Sequence, residues 1–140
     1  MSTELLFQGS AIAVIPFWIA MIFFPRSPRT LWMVGSPWII VPPIACYLLL
    51  GTPHAFEFLA AFDRPSPEKL AGMMAEPWAA SLFWAYAGAF DLFVGRWIFF
   101  DAREREIGAL WVSPILFVTI FSGPLGFALY GAARLASKRA

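Results

Sequence analysis

Between Trp84 and Phe100 the chain is apolar and aromatic, yet it carries an acid, Asp91, and a base, Arg96. A run of this length suits a membrane-crossing helix, since about 20 residues span a hydrocarbon core of about 30 Å. A charge at the centre of such a helix costs roughly 2.5–3.5 kcal/mol on insertion scales. A sequence that keeps two must supply their partners from within the protein. The rest of the chain is therefore expected to pack around this helix, with Asp91 facing inward. Composition agrees: 60% of the 140 residues are hydrophobic and 14% charged, against about 45–50% and about 25% in soluble chains. A soluble domain this small could not bury so much apolar surface, so the expected location is an integral, multi-pass one with membrane lipid as a partner.

The fold expected is all-α: a single polytopic membrane domain over residues 1–140 built as a four-transmembrane-helix bundle. The spans fall at roughly residues 5–24, 31–50, 77–100 and 110–133. The first follows M-S-T-E, which lacks a basic stretch, so it reads as a retained span and not a cleaved signal. Pro25 to Thr30 is a tight turn in which Thr30 can cap the next helix. The second span contains Pro37, Pro42 and Pro43, so it is kinked, or else broken or re-entrant near Val41. The 51–76 connection should hold two short interfacial helices, opened by Thr52-Pro53 and by Ser66-Pro67. His54 and Glu57, at i, i+3, form either a solvated pair or a catalytic dyad. The fourth span is interrupted by Ser122-Gly123-Pro124-Leu125-Gly126, with Tyr130 near its far end.

Along the third span Trp84, Gly88, Asp91, Gly95 and Ile98 share one helical face. Gly88 and Gly95 would let a neighbouring backbone approach the acid. Tyr86, Phe90, Phe93 and Trp97 line a second stripe that can face lipid, a ligand or another helix; packing is its ordinary use. Arg96 sits about 140° around the helix from Asp91. It can snorkel to the interface, or pair with Asp101 or with a carboxylate elsewhere. The run D-A-R-E-R-E from Asp101 reads as a solvated turn. Orientation is almost balanced: the basic tail after Arg134 favours one side, and Arg26, Arg29, Arg103 and Arg105 the other.

Several chemistries are excluded. A net charge of +1 offers no field for nucleic acid. The lone His54 rules out multi-histidine metal centres, so no metal is expected. Cys46 reads as a small core residue. The Ser-nucleophile, phosphate-loop and dinucleotide motifs do not occur. No internal repeat of the transporter kind is visible.

The run F-D-L-F-V-G-R-W-I-F-F-D-A-R, with Trp84 upstream, resembles the signature of the abscisic-acid-deficient-4-like family, the neoxanthin synthase-like proteins of plants and their bacterial relatives. Pro25, Thr30, Ser36 and Tyr47 fit as well, and the likeness extends over roughly Pro16 to Pro124. The family commonly carries a histidine where this chain has Tyr86, which puts any proton chemistry of that position in question. The resemblance implies a cofactor-independent carotenoid or isoprenoid isomerase that opens a 5,6-epoxide and removes a C7 proton to leave an allene. Asp91 would then be the acid or base. Arg96 and Tyr86 would steady the alkoxide, with Asp101 and Arg103 supporting them from the charged turn. Trp84, Phe90, Phe93 and Trp97 would hold the polyene. The alternative is a non-catalytic carotenoid-, quinone- or lipid-binding scaffold subunit of a larger pigment–protein complex of a photosynthetic membrane, with Asp91 and Arg96 as structural glue.

Overall fold

The computed structural model describes residues 2–137. They form α1 (Thr3–Phe23), α2 (Pro28–Gly35), α3 (Val41–Gly51), α4 (Ala55–Phe62), α5 (Pro67–Met74), α6 (Pro77–Glu104), α7 (Ala109–Phe121) and α8 (Gly123–Ser137), with short 3-10 turns at Pro37–Ile40 and Thr52–His54. No strand occurs among the described residues, as the all-α reading requires. Two compact units are present. The first takes α1 as far as Ala13 and the chain from Val41 to Gly88; the second takes Val14–Ile40 and everything from Ala89.

In the first unit Leu6, Leu50, Leu82 and Ala85 form a small buried core, with Tyr47, Phe58 and Trp78 packed on it. The expected short helices are α4 and α5. Ser66 caps α5 by accepting from the Lys69 N–H at 3.2 Å, with Pro67 at the first helical position. Thr52 does not cap; its hydroxyl donates back to the Leu48 carbonyl. His54 pairs with Glu57 at 2.9 Å and stacks on the Trp78 ring at 4.2 Å between centroids. Lys69 donates to the Ala60 and Asp63 carbonyls, closing the end of α4. An open basin of about 570 Å³ lies among these groups.

In the second unit Trp18, Met21, Val34, Leu92, Ile98, Leu116 and Tyr130 are buried together. Gly95 is the reason Trp18 fits, because a Cβ there would overlap the indole. The small residue thus admits a side chain, not the neighbouring backbone that was expected. Gly88, in the first unit, has nothing within 4 Å of such a Cβ. The 25–30 turn also differs from expectation. Ser27 occupies the cap position of α2 ahead of Pro28, while the buried Thr30 hydroxyl reaches the Ala20 carbonyl.

Two of the four expected spans are altered by breaks. The 31–50 segment is interrupted, not merely kinked: α2 ends at Gly35, Ser36 is extended (φ −70°, ψ 129°), and a 3-10 turn leads into α3. Pro42 and Pro43 sit in the first turn of α3, where a missing N–H costs nothing. The 110–133 segment is not one helix. Ser122 is fully extended (φ −157°, ψ 95°) and separates α7 from α8. The two helices fold back on each other so closely that a Cβ on Gly126 would come within 2.8 Å of the Thr119 Cα. Among the described residues, two helical stretches could cross a membrane by length and composition, Thr3–Phe23 and Pro37–Phe62. α6 has 28 residues, about 42 Å at 1.5 Å per residue, and carries Asp91 and Arg96 within it.

Candidate functional site

Asp91 and Arg96, both half-buried on α6, each meet the end of another helix. Asp91 lies at the start of α8, where its carboxylate meets the backbone of Gly123 and accepts from that amide. A helix start exposes N–H groups without intrahelical partners and the positive end of the backbone dipole. Here Gly123 is satisfied by Asp91, and Pro124 has no N–H to satisfy. Arg96 meets the opposite kind of terminus. Its Nε donates to the Val34 carbonyl and its Nη2 to the Gly35 carbonyl, both at 2.8 Å, at the end of α2. The negative end of α2 thus receives a cation. The guanidinium lies 5.1 Å from the Phe100 ring centroid. The acid and the base do not serve as each other's partner; they close the two breaks, at Ser122 and at Ser36.

One helical turn beyond Arg96 a second cluster forms around Asp101. Its Oδ2 accepts from the Tyr130 hydroxyl at 2.5 Å and from Arg105 Nε at 2.8 Å, and Arg134 Nε lies 3.4 Å away. Tyr130 stands edge-on to Trp97, and Arg134 lies over the same indole. Burial alone would raise the Asp101 carboxyl. The hydrogen bonds from Tyr130 and Arg105, with the charges of Arg105 and Arg134, outweigh it and hold the group below the usual carboxylate range.

An open cleft of about 330 Å³ lies in this unit. Phe93, Trp97 and Phe100 form its apolar wall, and Arg96, Asp101, Glu104 and Gly35 its polar part. Four of the residues singled out from the sequence meet here: Phe93, Arg96, Trp97 and Asp101. Asp91 is absent from the lining because it is engaged with α8. Arg103 donates to the Pro25 carbonyl at 3.0 Å and lies over Phe99. Phe90 is half-exposed in the same unit. Trp84 and Tyr86 belong to the first unit, where Trp84 packs against Phe7, and Tyr86 against Tyr47 and Phe83. Trp84 is 51% exposed, so the buried edge of α6 runs instead through Ala85, Leu92, Ile98 and Ala102. Gly35, Phe100, Glu104 and Tyr130 were not among the candidates. The only hint of Tyr130 in the sequence is its i, i+4 spacing with Arg134, two groups able to reach one acid.

The cleft can therefore hold an apolar body against three rings while offering a cationic donor and two carboxylate acceptors to a polar end. These features define an all-helical protein rich in apolar segments, with a small aromatic cleft beside a half-buried ion cluster. A model of the ABA DEFICIENT 4-like family matches residues 5–130. The chain belongs to that family. No curated protein and no solved structure matches it.

Proposed function

We propose that this chain is a multi-pass membrane protein that holds the oxygenated end group of a carotenoid or related isoprenoid in the cleft beside Arg96. The observation that carries this reading is the composition of the cleft: Phe93, Trp97 and Phe100 on one side, Arg96, Asp101 and Glu104 on the other. A polyene end ring with a hydroxyl or epoxide has that same division, an apolar body with one polar edge. Membership of a family related to neoxanthin synthase-like proteins supports the ligand class. The membrane reading is supported by the mean hydropathy of 2.0 over α1 and 1.5 over Pro37–Phe62. It is supported too by the exposed stripe Ile12, Ile15, Ile19 and Phe23 along α1, and by Leu110, Trp111 and Phe121 of α7.

The test is binding by the protein purified in a mild detergent, followed by Trp fluorescence quenching. An epoxy- or hydroxy-carotenoid should bind roughly tenfold more tightly than a hydrocarbon carotene, the value of about 1.4 kcal/mol of polar recognition. Equal affinities would overturn the end-group reading. A large coloured particle on extraction would instead make the chain a subunit of a pigment complex.

A second reading, the isomerase, is favoured by one further observation: Arg96 and Asp101 both line the cleft, and Tyr130, Arg105 and Arg134 hold the Asp101 carboxyl below the usual carboxylate range. Opening of a 5,6-epoxide breaks the carbon–oxygen bond onto oxygen. Asp101 takes the C7 proton as base, Arg96 stabilises the alkoxide, and a proton delivered to that oxygen completes an allene of unchanged formula. In this reading Asp91 and Arg96 first build the cleft by closing two helix ends, and Arg96 then also meets the substrate. Conversion of an epoxy-carotenoid by the pure protein, lost in Asp101→Asn, would establish it; binding without turnover leaves the holding function alone.

A further inference from the structure

We infer that α7 and α8 form a re-entrant hairpin. It enters the membrane on the side where α6 ends, turns at Ser122 beside Asp91, and leaves on the side it entered. This rests on the membrane reading above.

Three features of the second unit support it. The hairpin starts and finishes at one end of α6. The Ile107 N–H bonds the Ala102 carbonyl at 2.9 Å just before α7 begins, and Tyr130 and Arg134 bring α8 back to Asp101. Between those points the tip touches Asp91, the fifteenth of the 28 residues of α6 and close to its midpoint. Next, neither arm spans. α7 has 13 residues and α8 has 15, about 20 Å and 22 Å, against a core of about 30 Å. Finally, the turn is provided for at depth. Non-helical backbone is tolerated inside a membrane only where protein satisfies its polar groups. The Ser122 N–H bonds the Val118 carbonyl, the Gly126 N–H bonds the Ser122 carbonyl, and Asp91 takes the Gly123 amide.

The distribution of charge is an independent argument. If residues 110–133 crossed the membrane, Arg134, Lys138 and Arg139 would share a side with Arg64 and Lys69, opposite Arg26, Arg29, Arg103 and Arg105. That is five basic residues against four, and the positive-inside rule would have little to act on. With a re-entrant hairpin Arg134, Lys138 and Arg139 join Arg26, Arg29, Arg103 and Arg105, leaving only Arg64 and Lys69 opposite. The bias becomes seven to two. Three crossings and one hairpin thus remove the ambiguity that four crossings create. The side on which α6 ends is the cytoplasmic one or its equivalent, and the Asp101 and Glu104 end of the cleft faces it.

The experiment is single-cysteine labelling in a Cys46→Ala background, with Ser27→Cys, Glu68→Cys, Gly108→Cys and Ser137→Cys. A membrane-impermeant maleimide is applied to sealed membranes of each orientation. Ser27, Gly108 and Ser137 should label from one side, the cytoplasmic one, and Glu68 from the other. A reporter domain fused beyond Ser137 should give the same side without depending on any substitution. Labelling of Ser137 together with Glu68 overturns the hairpin and leaves the membrane reading intact. Release of the protein by alkaline carbonate, or labelling of all four sites from one side, overturns the membrane reading itself.

Discussion

The Asp91 carboxylate and the backbone amide of Gly123 form a cap between two helices, with the acid on α6 and the open end on α8. A capping role and an acid–base role make different demands on the side chain. Asparagine keeps an oxygen that can accept from the amide; alanine removes it. Asp91→Ala should lower stability in detergent by about 1–2 kcal/mol, the worth of a good N-cap, and Asp91→Asn by clearly less. Thermal unfolding of the two variants checks this, and equal losses would show that the cap is not what Asp91 supplies.

Arg96 closes the end of α2 through two donors held in one plane. Lysine keeps the charge but presents a single ammonium, so it cannot reproduce that fork. Arg96→Lys should cost about 1–3 kcal/mol, and Arg96→Met at least as much, because two carbonyls lose their partners. Xanthophyll affinity should fall in both variants, with hydrocarbon carotene affinity changing less.

The Asp101 cluster makes stability depend on pH in a definite direction. Its folded-state carboxyl titrates below the usual aspartate value of about 3.9. Its contribution is therefore complete above that value, and is lost as pH falls through the lower folded value. Unfolding midpoints should be flat for this group near neutrality and drop in the acid range. In Asp101→Asn the acid-range drop should be smaller. A drop of the same size in both proteins would assign the pH dependence elsewhere.

Three glycines in helices should respond to alanine in different ways. At Gly126 the new methyl would strike the Thr119 backbone, and at Gly95 the Trp18 indole. Each should destabilise by about 1–3 kcal/mol. Gly88 has open space, and alanine there should be neutral or stabilising by up to about 1 kcal/mol through helix propensity. Denaturation midpoints of the three variants decide the order.

The sequence made plain that two charges inside an apolar helix need partners, because their cost does not depend on the fold. It could not reveal the partners, since both are backbone groups at helix ends and carry no residue signature. The proline and glycine breaks were likewise visible at Pro37 and at Ser122-Gly123-Pro124. Whether a helix resumes its direction after a break is decided by tertiary contacts such as Gly126 against Thr119. The short pair α4 and α5 was readable because Ser66-Pro67 caps and starts a helix locally. The buried edge of α6 was misplaced by about one residue at Trp84, because the helical periodicity that joins Trp84 to Asp91 runs equally through Ala85 and Leu92, which are the buried pair. The cleft was half legible: its aromatic stripe and Arg96 follow helical periodicity, whereas Glu104 and Tyr130 arrive from a turn and a returning helix.

The extended residue at Ser122 bears on how the protein is made. On the re-entrant reading, a turn whose leading amide is satisfied by a carboxylate on an earlier helix cannot settle in lipid before that helix is present. Synthesis from the amino end supplies α6 first, so the receptor for the hairpin is waiting when α7 and α8 emerge. Asp91 then acts as a berth for the last element to dock, and a chain lacking it should stall with that hairpin undocked at the membrane surface.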